Sequence, residues 1–133
     1  MILGFSAKFQ DGTPTNFRDK ILKGIKQTTI REDKNDRYKV GTKLHLAEGV
    51  RTKNYNCFAE GLIDSLVLII IKPQEKEIYV MGITSEGVEA CSIKSHSEGM
   101  EKVIKLEGFD SEEQFWKWFN KPLAGKMIHW KLK

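Results

Sequence analysis

From Gly41 to Ile93 the chain passes through a succession of short apolar, β-branched segments: Leu44 and Leu46, then Cys57 to Ile63, Leu66 to Ile71, Ile78 to Ile83 and Val88 to Ile93. This succession limits the fold more than any other feature, because so many strands in one chain must bury a face and dispose of their edges. The most apolar of them, Leu66 to Ile71, is far shorter than the roughly 20 residues a membrane helix needs, so it reads as a strand of a soluble protein with no membrane span. Lys72-Pro73-Gln74-Glu75-Lys76 reads as the turn of a hairpin joining it to Glu77-Ile78-Tyr79-Val80-Met81.

Helical patterns flank the strands. Ile2 to Phe9 alternates as a first strand, and Asp11-Gly12-Thr13-Pro14 closes it. Thr15 is placed to cap a short helix over residues 16–23, with Phe17, Ile21 and Leu22 on one face and Gly24 as the stop. The stretch from Glu32 to Lys39 is densely charged and reads as solvated. Met100, Val103 and Ile104 share a face of a second helix over Ser97 to Leu106. Asp110 and Glu113 have capping-box spacing and open a third helix, Glu113 to Asn120, with Phe115, Trp116 and Phe119 toward the core. Two residues apart on a helix, Trp116 and Trp118 point in opposed directions, so Trp118 is expected to be the exposed one. Lys126 to Leu132 alternates as a final strand. The pattern predicts an α+β fold: a small, partly closed mixed β-barrel with about three short helices over its ends. A flat α+β sandwich fits the same periodicity.

At 133 residues, with 40% hydrophobic residues and only 3 Pro, the chain is expected to form a single domain over residues 1–133 without a disulfide or metal staple. Cys57 and Cys91 sit in apolar surroundings, form no C-x-x-C pair, and read as reduced interior thiols of an intracellular, cytoplasmic protein. Residues Met1 to Ala7 lack the charged leader of a secretory signal. Basic residues outnumber acidic ones, 22 to 18, which mildly favours anionic partners such as RNA or a phosphorylated metabolite. There is no P-loop, G-x-G-x-x-G, G-x-S-x-G or H-E-x-x-H motif, so nucleotide hydrolysis and zincin chemistry lose most of their support. His45, His96 and His129 are scattered and receive no catalytic role. No metal or cofactor is expected.

One segment remains to carry chemistry. Gly24-Ile25-Lys26-Gln27-Thr28-Thr29-Ile30-Arg31 presents a Lys, two hydroxyls and an Arg directly after a helix stop. If Thr28 to Arg31 is extended, Thr29 and Arg31 point to one face while Thr28 and Ile30 point to the other. Ile30 can then anchor in the core while Thr29 and Arg31 look into a cleft to which Lys26 curls back. A Lys partly desolvated beside a Thr hydroxyl can lose its proton near neutral pH and act as a base. A solvated basic turn is the plainer reading of the same residues.

This segment, followed by Gly41 before a strand, Arg51 after the next, and Glu107-Gly108-Phe109-Asp110-Ser111-Glu112-Glu113-Gln114-Phe115 leading into an aromatic-rich helix, resembles the ASCH domain family over most of the chain. The resemblance implies a PUA-like β-barrel and binding of RNA or a modified nucleoside. In its motif the chain is similar to the bacterial acetylcytidine amidohydrolase branch, which removes an acyl group from the exocyclic amine of cytidine. Carried over, the catalytic set is Lys26, Thr29 and Glu107, with Glu101 as a neighbouring alternative to the last. Thr28, Arg31 and Arg51 become the expected ligand-binding residues. The implied mechanism has neutral Lys26 deprotonate Thr29, Glu107 orient Lys26 or relay its proton, and Arg31 or backbone amides stabilise the oxyanion. A non-catalytic RNA-binding module is the alternative the motif also fits. The chain exceeds a minimal barrel of this kind by the hairpin around Leu66 to Met81, which could narrow or re-aim the cleft.

Overall fold

A computed structural model describes residues 1–85 and 87–133. Seven strands and three helices follow one another as β1 (Ile2–Gly4), α1 (Phe17–Leu22), β2 (Thr28–Arg31), β3 (Lys43–Glu48), β4 (Asn56–Lys72), β5 (Glu77–Thr84), β6 (Gly87–Lys94), α2 (Glu98–Glu107), α3 (Glu112–Trp118) and β7 (Leu123–Leu132). The protein is a small mixed α+β domain built on one seven-stranded sheet.

β4 organises that sheet. The two apolar segments expected as separate strands, 57–63 and 66–71, form one strand of 17 residues. The polar pair Asp64-Ser65 does not end it. A register shift between Ile63 and Ser65 absorbs Asp64 as a bulge, and the ladder to β7 continues on both sides from Gly61↔Leu132 to Ile71↔Leu123. Drawn straight, such a strand would span about 55 Å, several times the ~14 Å radius of gyration of a compact chain of this length. It therefore has to bend, and it serves different partners along its length. Its first half pairs with β3, its last residues pair with β5, and β7 runs along the opposite edge.

The remaining strands extend this frame outward. β1 pairs in parallel with β3, β6 pairs with β5, and β2 adds to β7 with Thr28↔His129 through Arg31↔Lys126. The sheet is not closed: of its three end strands, β1, β2 and β6, no backbone ladder joins β1 to β2 among the described residues. These two are bridged instead by a side chain, Arg31 Nη2 of β2 donating to Gly4 O of β1 at 2.6 Å.

Leu44, Leu46, Ile63, Ile69, Ile71, Ile78 and Ile128 from the strands meet Ile21, Met100 and Phe115 from the helices in one buried core. In α1, Phe17 and Ile21 are buried but Leu22, expected on the same face, is exposed; the helix has only six residues, Asn16 precedes it without a side-chain capping bond, and the Thr15 hydroxyl accepts from Phe17 N at 3.3 Å. Ser97 caps α2, its Oγ accepting from Met100 N at 3.1 Å. The helix ends at Gly108, whose φ of 86° is the left-handed conformation that favours glycine. The cap of α3 lies one residue later than the spacing suggests. Ser111 accepts from Gln114 N, Gln114 Oε1 accepts from Asp110 N, and the Asp110 carboxylate is drawn away to Lys20.

Two surface expectations are corrected. Cys57 and Cys91 are exposed, the first at the solvent-facing start of β4 and the second on β6, most of whose residues are exposed. The charged stretch 32–39 is anchored as well as solvated. Asp33 accepts from the amides of Arg37 at 2.7 Å and Tyr38 at 3.1 Å and pairs with Lys126 at 2.8 Å, with its side chain almost wholly covered. No helix is long and apolar enough to cross a membrane among the described residues.

Candidate functional site

β2 and the C-terminal end of α2 are brought together by one carboxylate. Glu107, the last residue of α2, is buried; its Oε1 accepts from Ile30 N at 3.1 Å and its Oε2 accepts from the Thr28 hydroxyl. Backbone reinforces the junction where Gln27 N donates to Leu106 O at 2.9 Å. Both carboxylate oxygens are thereby committed to β2, and a buried carboxylate held by a backbone amide and a hydroxyl fixes its neighbours rather than moving.

Lys26 lies against this junction. Its side chain is only 3% exposed, and Nζ donates to Thr28 O at 2.8 Å and to Glu107 O. A neutral amine has two N–H bonds and one lone pair. Two carbonyl acceptors use both hydrogens and leave the lone pair free. The ammonium form is opposed by burial, which pulls Lys26 down to about 8 from its ordinary 10.5; the Glu107 carboxylate resists that fall, while the like charges of Arg31 and Lys20 add to it. The Phe17 ring, 4.7 Å from Nζ, offers the ammonium a modest compensation. Gly108 makes this burial possible: a Cβ there would lie 2.9 Å from Lys26 Cδ and 3.0 Å from its Cβ.

Thr29 and Arg31 share the opposite face of β2 from Thr28, as strand alternation requires. Arg31 Nε donates to Thr29 Oγ1 at 3.1 Å, and the guanidinium lies 5.2 Å from the Phe5 ring. Burial lowers Arg31 from its ordinary value, and Tyr38 and Glu107 oppose the shift. Because Thr29 Oγ accepts from Arg31, its own hydrogen is free to be donated into the pocket, and negative charge forming on that oxygen would meet a guanidinium.

These groups open onto a cavity of about 290 Å³. Lys26, Thr29, Ile30, Arg31 and Glu107 line one side; Phe5, Phe17, Phe109, Trp118 and Phe119 form aromatic walls. The walls hold each other by edge-to-face contacts, Phe17 to Phe109 at 5.7 Å and Phe17 to Trp118 at 5.7 Å among them.

Of the six residues singled out from the sequence, Lys26, Thr29, Arg31 and Glu107 line this pocket together. Thr28 does not: its hydroxyl is spent on Glu107, making it a support of the site rather than a ligand contact. Arg51 lies outside it altogether, exposed on the turn after β3 with φ 65°. The alternative Glu101 is exposed and pairs with Lys105 at 3.5 Å. Arg31 is also less free for a ligand than expected, since Thr29 and Gly4 already hold it. Glu107 meets Lys26 through its main-chain oxygen, not its carboxylate. Phe5, Phe17 and Phe109 went unrecognised as pocket walls because their apolar character signals core equally well. Among the described residues no cluster of three or more metal-ligating side chains occurs. Trp118, at 38%, is the exposed member of its pair and Trp116 the buried one.

The chain matches no family model, no curated protein and no solved structure.

Proposed function

We propose that the protein has a PUA-like fold of the ASCH type and hydrolyses the exocyclic amide of an acylated cytidine in the pocket lined by Lys26, Thr29, Arg31 and Glu107. The observation that carries the reading is the buried Lys26 amine, with two backbone carbonyls on its hydrogens, lining the same pocket as the Thr29 hydroxyl, whose oxygen accepts from Arg31. A solvated basic turn would have no need of that arrangement.

The reaction runs in two halves. Neutral Lys26 takes the Thr29 proton as the hydroxyl oxygen attacks the acyl carbonyl; Arg31 offsets the charge that forms on the Thr29 oxygen as its proton leaves, and in the tetrahedral intermediate the negative charge passes to the former carbonyl oxygen. The C–N bond then breaks, and the Lys26 ammonium returns its proton to the departing amine of cytidine. Water, deprotonated by Lys26, attacks the Thr29 ester and releases the carboxylic acid, restoring both side chains. Glu107 acts as a positioning residue: it ties β2 to α2 and so sets where Lys26 and Thr29 stand. The aromatic walls favour the flat base.

The enzymatic reading is favoured over an RNA-binding module because the surface beside the pocket mixes Lys8 and Lys117 with Asp11, Asp110 and Glu113, whereas a strand-binding groove tracks a backbone with positive charge. The test is turnover of a panel of 4-acylcytidines by the purified protein. We expect cytidine release that falls by at least about 100-fold in both Lys26→Met and Thr29→Ala, with circular dichroism and thermal melting showing that each variant remains folded. Absence of turnover by the wild type, alongside salt-sensitive binding of an oligoribonucleotide, would reject the reading in favour of the binding module.

A further inference from the structure

The pocket that holds Lys26 and Thr29, at about 290 Å³, stands at the lower end of ligand-site sizes. Its reacting groups are buried, so a cytidine that presents its exocyclic amide to Thr29 directs its ribose away from them. Ser6 and Trp118 line this pocket and also a second groove of about 1140 Å³, between residues 6–14 and α3. Trp118 is held edge-on by Phe9 at 5.8 Å and Phe17 at 5.7 Å, so the wall that the two spaces share is fixed. The groove has far more room than a ribose requires.

Its charges are unevenly partnered. Asp110 is paired with Lys20 at 2.7 Å and Glu113 with Lys117 at 3.1 Å. Asp11, in the turn, accepts from the Thr13 amide and hydroxyl. Lys8 differs: among the described residues its ammonium has no hydrogen-bond or ion-pair partner, although its backbone is pinned by a bridge to Pro14 and by the Ser6 hydroxyl, which donates to Lys8 O. A cation on a fixed base, two residues from the shared wall, is suited to an anionic group attached to the ribose.

Resting on the nucleoside reading above, we infer that the ligand carries a phosphate on its ribose and that Lys8 receives it. The ligand class is thus a cytidine nucleotide, free or at the end of a strand, with the base in the aromatic pocket, the ribose passing Trp118, and the phosphate in the groove. An exposed charge-assisted contact of this kind is worth roughly a five-fold preference at low salt.

Isothermal calorimetry with cytidine, cytidine 5′-monophosphate and a short cytidine-ended oligonucleotide tests this without requiring turnover. The expected result is monophosphate binding about five-fold tighter than cytidine, a ratio that shrinks toward one at high salt and in Lys8→Gln. Equal affinities, or a preference that survives Lys8→Gln, overturn the phosphate contact and leave the amidohydrolase reading standing. Binding of none of the three overturns the phosphate contact, and turnover of the 4-acylcytidines then decides the amidohydrolase reading separately. If the monophosphate is preferred, an oligonucleotide that binds no better identifies a free nucleotide as the phosphate source, and one that binds more tightly identifies a strand; either upholds the contact at Lys8.

Discussion

Replacing Lys26 with Met separates the burial of an amine from the burial of its chain. Met keeps the length and apolar stem but has no charge to desolvate. In the wild type the fall of Lys26 from 10.5 to about 8 means that folding must either bury an ammonium or release its proton. Between those two pH values the unfolded chain binds more protons than the folded one, so stability rises with pH across that window. The penalty is fully present below about pH 8, and it is gone above 10.5. Its size follows from the shift and comes to about 3 kcal/mol; burial is complete, so solvent screening takes little from it. Urea denaturation of wild type and Lys26→Met, run in parallel from pH 7 to 11, gives the stability difference between them; other titrating groups cancel. The wild type should gain about 3 kcal/mol relative to the variant over that range. Below pH 8 the variant loses the desolvation penalty but leaves Thr28 O and Glu107 O without a donor, which costs it about 1–3 kcal/mol each. That cost does not change with pH. A difference that stays flat from pH 8 to 10.5, or moves the other way, would refute the claim that Lys26 is desolvated, and the proposed base would go with it.

Other perturbations test the remaining parts of the site. Cytidine release should rise with pH and level off above about 8, as Lys26 becomes neutral; in Glu107→Gln the midpoint should fall, since the carboxylate that holds the Lys26 proton is gone, and an unchanged or higher midpoint in that variant's rate profile contradicts the assignment. Gly108→Ala should destabilise the fold by about 2 kcal/mol in thermal or denaturant melts, because the new methyl meets Lys26 at a φ of 86°. Lys126→Met should cost about 3 kcal/mol by leaving the covered Asp33 carboxylate without its cation; a loss under about 0.5 kcal/mol would mean that the pair behaves as a surface contact. Cys57 and Cys91 should both react with a thiol reagent in the native protein without denaturant, whereas interior thiols would wait for unfolding.

Local chemistry was legible where one strand or helix suffices to express it. Alternation alone places Thr29 and Arg31 on one face of β2, and the Arg31 to Thr29 bond bears this out. The apolar spacing of α2 and the hairpin turn at residues 72–76 are equally local, and both are present. The merging of two apolar segments into β4 was not legible, since a polar Asp64-Ser65 pair signals a break and only the ladder with β7, which resumes beyond the bulge, carries the strand through. Nor was the position of Arg51, which stands on a turn whose direction depends on how β3 and β4 pair.

The lysine illustrates the division most clearly. Sequence alone determined that a Lys, two Thr and an Arg follow a helix stop within six residues, and that the two faces of an extended Thr28–Arg31 segment must differ. It could not determine that Lys26 is buried, because burial is not a property of the segment. It arises when the end of α2, 81 residues further along the chain, sets Glu107 against the amide of Ile30 and the hydroxyl of Thr28, and turns at a glycine small enough to let the lysine stem pass. The reason is physical: an amine loses its water only when groups distant in sequence surround it, and its basicity follows from that loss of solvent rather than from its neighbours along the chain.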